Sequence, residues 1–242
     1  MNTTSSEEIG TPEEHVSLWE DFIDIFYAPR QVFARRPEGK WVLLLIIITI
    51  IMALLFYLSQ GVLRPIFDAE FTRAMSRNPN ITPEQMAGAK KMSGIFGLVG
   101  LAVGFPIGMI VLGLVLWGVG KLVESEASLA VALMIVVYSQ IPRILQSVLG
   151  LVQGLLMDAS SLRSLYSVSF SPARFLDPDT TSAVLLTLAG RFDLFLLWSA
   201  LLMAIGLQVL GKVGRVQSYV AAAIVWLVGA IPALAGALSS RG

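Results

Sequence analysis

The sequence predicts an all-α protein: a bundle of five transmembrane helices preceded by an amphipathic helix. Three observations carry that prediction. Five apolar stretches run from Trp41 to Gln60, Ser93 to Val119, Ala127 to Met157, Ser182 to Leu210 and Val216 to Leu238. A hydrocarbon core of ~30 Å needs ~20 helical residues, so each stretch is long enough to cross it. Composition agrees, because 55% hydrophobic residues, 14% charged residues and a mean hydropathy of +0.75 leave too little charge to solvate a soluble fold of 242 residues. The first apolar run begins only at Trp41, behind a polar and acidic leader, so it reads as a retained span and not as a cleavable signal peptide.

The same composition removes several function classes. The 17 basic and 17 acidic residues produce no net field, which excludes nucleic acid as an expected partner. Without cysteine there are no disulfides, thiolate metal sites or iron–sulfur clusters, and the single His15 rules out multi-histidine metal sites. No cofactor is expected. An enzyme is disfavoured too: no serine of the spans has a histidine nearby in sequence to activate it, and Asp193 has no acidic partner within the spans.

Three segments follow along the chain. Residues 1–10 are small and polar and read as a disordered leader. Residues 11–40 form an amphipathic segment, opened by Thr11-Pro12-Glu13-Glu14 with Thr11 as helix cap. Val16, Trp19, Phe22, Ile23 and Phe26 recur at helical spacing, while Glu13, Ser17, Glu20, Asp21 and Asp24 fall largely on the other side. The helix should lie on the bundle or membrane surface with Trp19, Phe22 and Phe26 turned inward, unless that face docks a partner. Ala28-Pro29 ends it, and Arg30, Arg35, Arg36 and Lys40 form a basic belt beside the first span. Residues 41–242 are the five-span domain.

Between the first two spans the chain reads as a surface loop, with Thr82-Pro83-Glu84-Gln85 capping a helix that runs into the second span. In that span Gly100, Gly104 and Gly108 stand at four-residue intervals, a smooth stripe expected to pack closely inside one monomer; a homo-oligomer contact or a flexible gate is the alternative. Gly150 and Gly154 offer a matching patch on the third span, and Pro106 should bend the second.

The third and fourth spans hold an intramembrane polar cluster: Tyr138, Gln140, Arg143, Gln146, Arg191 and Asp193. A charge at the membrane centre costs ~2.5–3.5 kcal/mol on insertion scales, so partners are required. Arg143 should face the interior with Asp193 as its acidic partner, while Arg191 can sit near the interface and snorkel. A short repeat accompanies these residues. Gly120-Lys121, Ser128 and Ile141-Pro142 are echoed by Gly211-Lys212, Ser218 and Ile231-Pro232, suggesting two hairpins of equal orientation with both short turns on one side. Charge counts leave the orientation open; the basic belt favours a cytoplasmic N-terminus.

The leader with Trp19, Phe22, Phe26, Pro29 and Phe33, the stretch Val137-Tyr138-Ser139-Gln140-Ile141-Pro142, and the run Arg191-Phe192-Asp193-Leu194-Phe195-Leu196-Leu197-Trp198 followed by Gly206-Leu207 resemble the Yip domain family, its bacterial branch most of all. Eukaryotic members are five-span proteins of the early secretory pathway that associate with Rab-type GTPases. For this chain the resemblance implies the fold and residence in a membrane, expected to be a bacterial cytoplasmic membrane with the lipid bilayer as solvent; together with the leader helix it suggests a non-enzymatic role as membrane organiser or adaptor for a membrane or peripheral protein. A transporter or channel built on the polar cluster is the second class.

Overall fold

The structure, a computed structural model, describes residues 17–37, 40–76 and 82–239. The first ten residues and the Thr11 cap lie outside that range. Ser17 caps α1 (Leu18–Asp24) by accepting from the Glu20 N–H, and Pro29 opens α2 (Pro29–Ala34). The first span is α3 (Val42–Val62), and α4 (Arg64–Ser76) follows directly, so much of the expected surface loop is helical. Thr82 and Gln85 form the reciprocal capping box read from sequence, opening α5 (Pro83–Leu122), which runs through Pro106 without interruption.

The third span is broken. It comprises α6 (Leu129–Tyr138) and α7 (Ile141–Leu156), parted at Ser139-Gln140. Three short 3-10 turns then lead to α8 (Ala183–Arg191) and α9 (Leu194–Leu210), which together make one span bent by 49°. The last span, α10 (Arg215–Val228) and α11 (Ile231–Ser239), is interrupted at Gly229-Ala230. Among the described residues, with the bent pair counted once, five apolar helical units are long enough to cross a bilayer. The chain is a multi-pass membrane protein.

The third span forms the centre. Of its apolar window 61% is buried inside the bundle, against 17% for α3 and 11% for the membrane part of α5, and every residue from Ala132 to Tyr138 is buried. The surfaces of α3 and α5 are therefore left to lipid.

Relative lengths explain where the leader goes. The Gln60 amide donates to the Gly94 carbonyl, Met52 lies beside Ser147, and Leu63 abuts Gly154, so α3 ends level with α7. It has 21 residues where the third span has 28, a deficit of ~10 Å at ~1.5 Å per residue. That deficit falls at the start of α3, beside α6, and the leader fills it. Phe33 packs on Tyr138, Phe26 meets Trp198 edge-on at 5.2 Å, and Arg30 donates to Gln208 near the end of α9.

The two short turns of the proposed repeat are neighbours. The Glu126 N–H donates to the Gly211 carbonyl at 2.9 Å, and Lys212 pairs with Glu126 at 2.5 Å. The matched serines are not equivalent, since Ser128 caps α6 whereas Ser218 lies inside α10. The two Ile-Pro pairs are equivalent: each restarts a span after a two-residue break.

Candidate functional site

Asp21 of α1 and, four residues on, Ile25 at its C-terminal cap point into the bundle and are wholly buried. A buried carboxylate needs donors to replace its lost hydration. Asp21 has four contacts from three side chains. Arg35 reaches Oδ1 with Nε at 2.9 Å and Nη2 at 2.8 Å, while Arg36 Nε at 2.8 Å and the Tyr138 hydroxyl at 2.9 Å donate to Oδ2. Consecutive residues on a continuous helix diverge; because α2 ends at Ala34, Arg35 and Arg36 can converge on one carboxylate. Tyr138 is the last residue of α6, so this knot ties the leader to the break in the central span.

An outer ring of polar groups surrounds it. Arg35 Nη2 also donates to Asp24 at 2.5 Å, and the Tyr27 hydroxyl bonds the same carboxylate. The Tyr27 hydroxyl foremost, and then Arg35, hold the Asp24 carboxyl below its ordinary value, and the same bond pushes the Tyr27 phenol up. Outward, α1 is apolar: Trp19, Ile23 and Tyr27, four residues apart, are 66%, 65% and 72% exposed. Of the aromatic residues expected to turn inward, Phe22 and Phe26 are partly buried and Trp19 stands outside, against Phe22.

The predicted polar cluster is divided among three neighbours. Tyr138 joins the leader, and Gln140 is buried beside it with its amide nitrogen donating to the Val136 carbonyl at 3.4 Å. Asp193 caps α9, accepting from the Phe195 N–H, the Phe170 N–H and the Gln146 amide, each at 2.9 Å. Arg143 makes no ion pair with it, and the Arg143 Nε is buried without a hydrogen-bond partner. Arg191 turns to α10 instead: its guanidinium donates to the Trp226 carbonyl and lies 5.3 Å from the centre of that indole.

The glycines separate in the same way. Gly154 meets Val62 and Leu63 and Gly150 grazes Val168, whereas a Cβ added at Gly100, Gly104 or Gly108 would meet nothing within 4 Å. The expected close packing of that stripe inside the monomer is thus corrected, since it faces outward. Gly206 against Ile135 and Gly113 against Leu133 carry the tight helix approaches.

Sequence reasoning missed Asp21, Arg35 and Arg36 as site residues. The available signal was an acid four residues before an inward isoleucine, with two consecutive arginines a short distance on. Among known families, the Yip1 domain model matches residues 23–236, from within α1 to within α11. No curated protein and no solved structure matches the chain.

Proposed function

From the premise that the chain belongs to the Yip1 domain family, we propose that it works without catalysis, as a membrane organiser or adaptor whose docked leader is the contact surface. One observation carries this reading. The leader is held to the central span through buried Asp21 while its apolar edge, Trp19, Ile23 and Tyr27, remains uncovered. The protein would sit in a bacterial cytoplasmic membrane with the leader in the cytoplasm. In support, the leader shares one side with both short turns, which gathers Arg30, Arg35, Arg36, Lys40, Lys121, Lys212 and Arg215 there. Transport draws less support, because Tyr138 and Gln140 are fully packed side chains that fill space.

The test places a photo-crosslinking residue at Ile23 in the full chain and identifies attached proteins and lipids by mass spectrometry in intact membranes. A defined protein partner or lipid class should appear and be lost when Trp19→Ala is added, with the melting temperature unchanged. An indiscriminate crosslinking pattern that Trp19→Ala leaves untouched would defeat the adaptor reading.

A further inference from the structure

At the end of the bundle opposite the leader, a cavity of about 230 Å³ opens between α4, α8 and α11. Its walls are unlike one another. Glu70 and Arg73 of α4 line it, as does the Tyr166 ring, which packs against Gly190 of α8; Ala183 of α8 and Ala233 and Gly236 of α11 supply its small residues. A Cβ added at Gly236 would meet nothing within 4 Å, so the apolar wall is open as well as smooth. The mouth lies at one end of the bundle, between the start of the fourth span and the end of the last.

Charge narrows the occupant. Arg73 pairs with Asp179 at 2.8 Å and Glu70 at 3.6 Å, and Arg163 pairs with Asp179 at 2.5 Å and Asp177 at 3.4 Å. Among the described residues the cavity lining itself carries one carboxylate, Glu70, and one guanidinium, Arg73, a pair that matches a zwitterionic headgroup better than an anionic one. Glu70 is only loosely engaged, with the Leu165 N–H 3.4 Å from Oε1. A carboxylate offers about four lone-pair sites, so most of its acceptor capacity is open. An ammonium could be held by Glu70 and by the face of Tyr166, with the attached phosphate toward Arg73. At ~30 Å³ for each liquid water, the volume equals some seven or eight waters, room for a headgroup but below the ~300–1,000 Å³ of drug-sized sites.

We propose that this cavity binds the headgroup of a phospholipid bearing a primary ammonium, with its acyl chains leaving along the small residues between α8 and α11. The site is independent of the leader and of the adaptor reading. The experiment titrates the purified full chain in detergent with short-chain phosphatidylethanolamine, phosphatidylcholine and phosphatidylglycerol, and separately with glycerophosphoethanolamine, the headgroup without chains. Intact-mass adducts and the melting temperature are followed. Phosphatidylethanolamine should form a single-site adduct and raise the melting temperature. The choline lipid, unable to donate hydrogen bonds, should bind about tenfold more weakly, and the glycerol lipid more weakly still. Glu70→Gln should cost about tenfold in affinity. Gly236→Leu, and independently Ala233→Leu should the first variant not fold, should abolish binding by filling the cavity. Equal binding of all three lipids, or an ethanolamine adduct that survives the filling variants, would overturn the site; a bare headgroup binding as tightly as the lipid would overturn the assignment of the apolar wall.

Discussion

Replacing Asp21 by alanine should undock the leader without unfolding the bundle, because the carboxylate is the shared acceptor for groups on two separate parts of the chain. The Tyr138 hydroxyl would be left buried with no acceptor, a penalty of ~1–3 kcal/mol. Arg35 and Arg36 would lose a counter-charge, but their side chains are 23% and 26% exposed, so water takes over part of the work and each adds at most ~1 kcal/mol. Together these give ~3 kcal/mol, on the order of a 150-fold rise in the undocked fraction. Tyr138→Phe should do less: Asp21 keeps both guanidiniums, and a lost neutral donor costs ~1–1.5 kcal/mol, about tenfold.

The chain has no cysteine, so a single Ile25→Cys supplies a clean reporter, wholly buried while the leader is docked. When redocking outpaces labelling, the maleimide reaction rate tracks the undocked fraction. Asp21→Ala should accelerate labelling by about two orders of magnitude and Tyr138→Phe by about one, with the double variant no faster than Asp21→Ala alone, since both remove the same bond. Rates within twofold of the parent would refute the reasoning. They would mean that Phe26, Phe33 and their apolar contacts hold the leader unaided.

Other outcomes follow from the same geometry. Gly206→Ala places a Cβ 2.6 Å from Ile135 and should destabilise by ~1–3 kcal/mol in thermal melts, whereas alanine at Gly100, Gly104 or Gly108 should be neutral or slightly stabilising through helix propensity. Asp193→Ala removes the α9 cap and the bond from Gln146, so it should couple strongly to Gln146→Ala yet add to Arg143→Ala within ~0.5 kcal/mol in a double-mutant cycle. Acid should loosen the outer ring of the knot. Asp24 has a depressed folded pKa, so its contribution is full above its unfolded value of ~3.9 and is lost as pH falls through the lower folded value. Iodide quenching of tryptophan fluorescence should rise over that acid range, and Tyr27→Phe, which removes the largest cause of the depression, should move the transition to higher pH.

What the sequence reveals about this fold is what neighbouring residues decide among themselves. Span length is such a property, and so is the Thr82 capping box, whose partners are three residues apart. Asp21 is the opposite case. Sorting a helix by polarity places it with Glu20 and Asp24 on the wet face, and only Tyr138, 117 residues away, makes it an inward residue. Asp193 stood between. Its need for donors inside a membrane was legible, but the break at Phe192-Asp193 made it a helix cap, so backbone N–H groups and Gln146 met that need without an ion pair to Arg143.

A guanidinium does answer one of the two Ile-Pro breaks in this bundle, the one in the last span. In each broken span the amide N–H two residues before proline bonds three residues back instead of four: Gln140 to Val137, and Ala230 to Leu227. Each shift deprives the carbonyl one place earlier, Val136 or Trp226, of its usual helical donor. Both carbonyls lie six residues ahead of their proline, and both receive a side chain. Gln140 returns its own amide to Val136, while Arg191 crosses from α8 in the preceding span to Trp226. The central span solves the problem locally, which leaves Tyr138 free to serve the leader. The peripheral span has Gly229-Ala230 at its break and no polar side chain of its own there, so it borrows a guanidinium from α8. Arg191 thus has a structural role, and the polar chemistry that differs between the two breaks is the part that holds the leader.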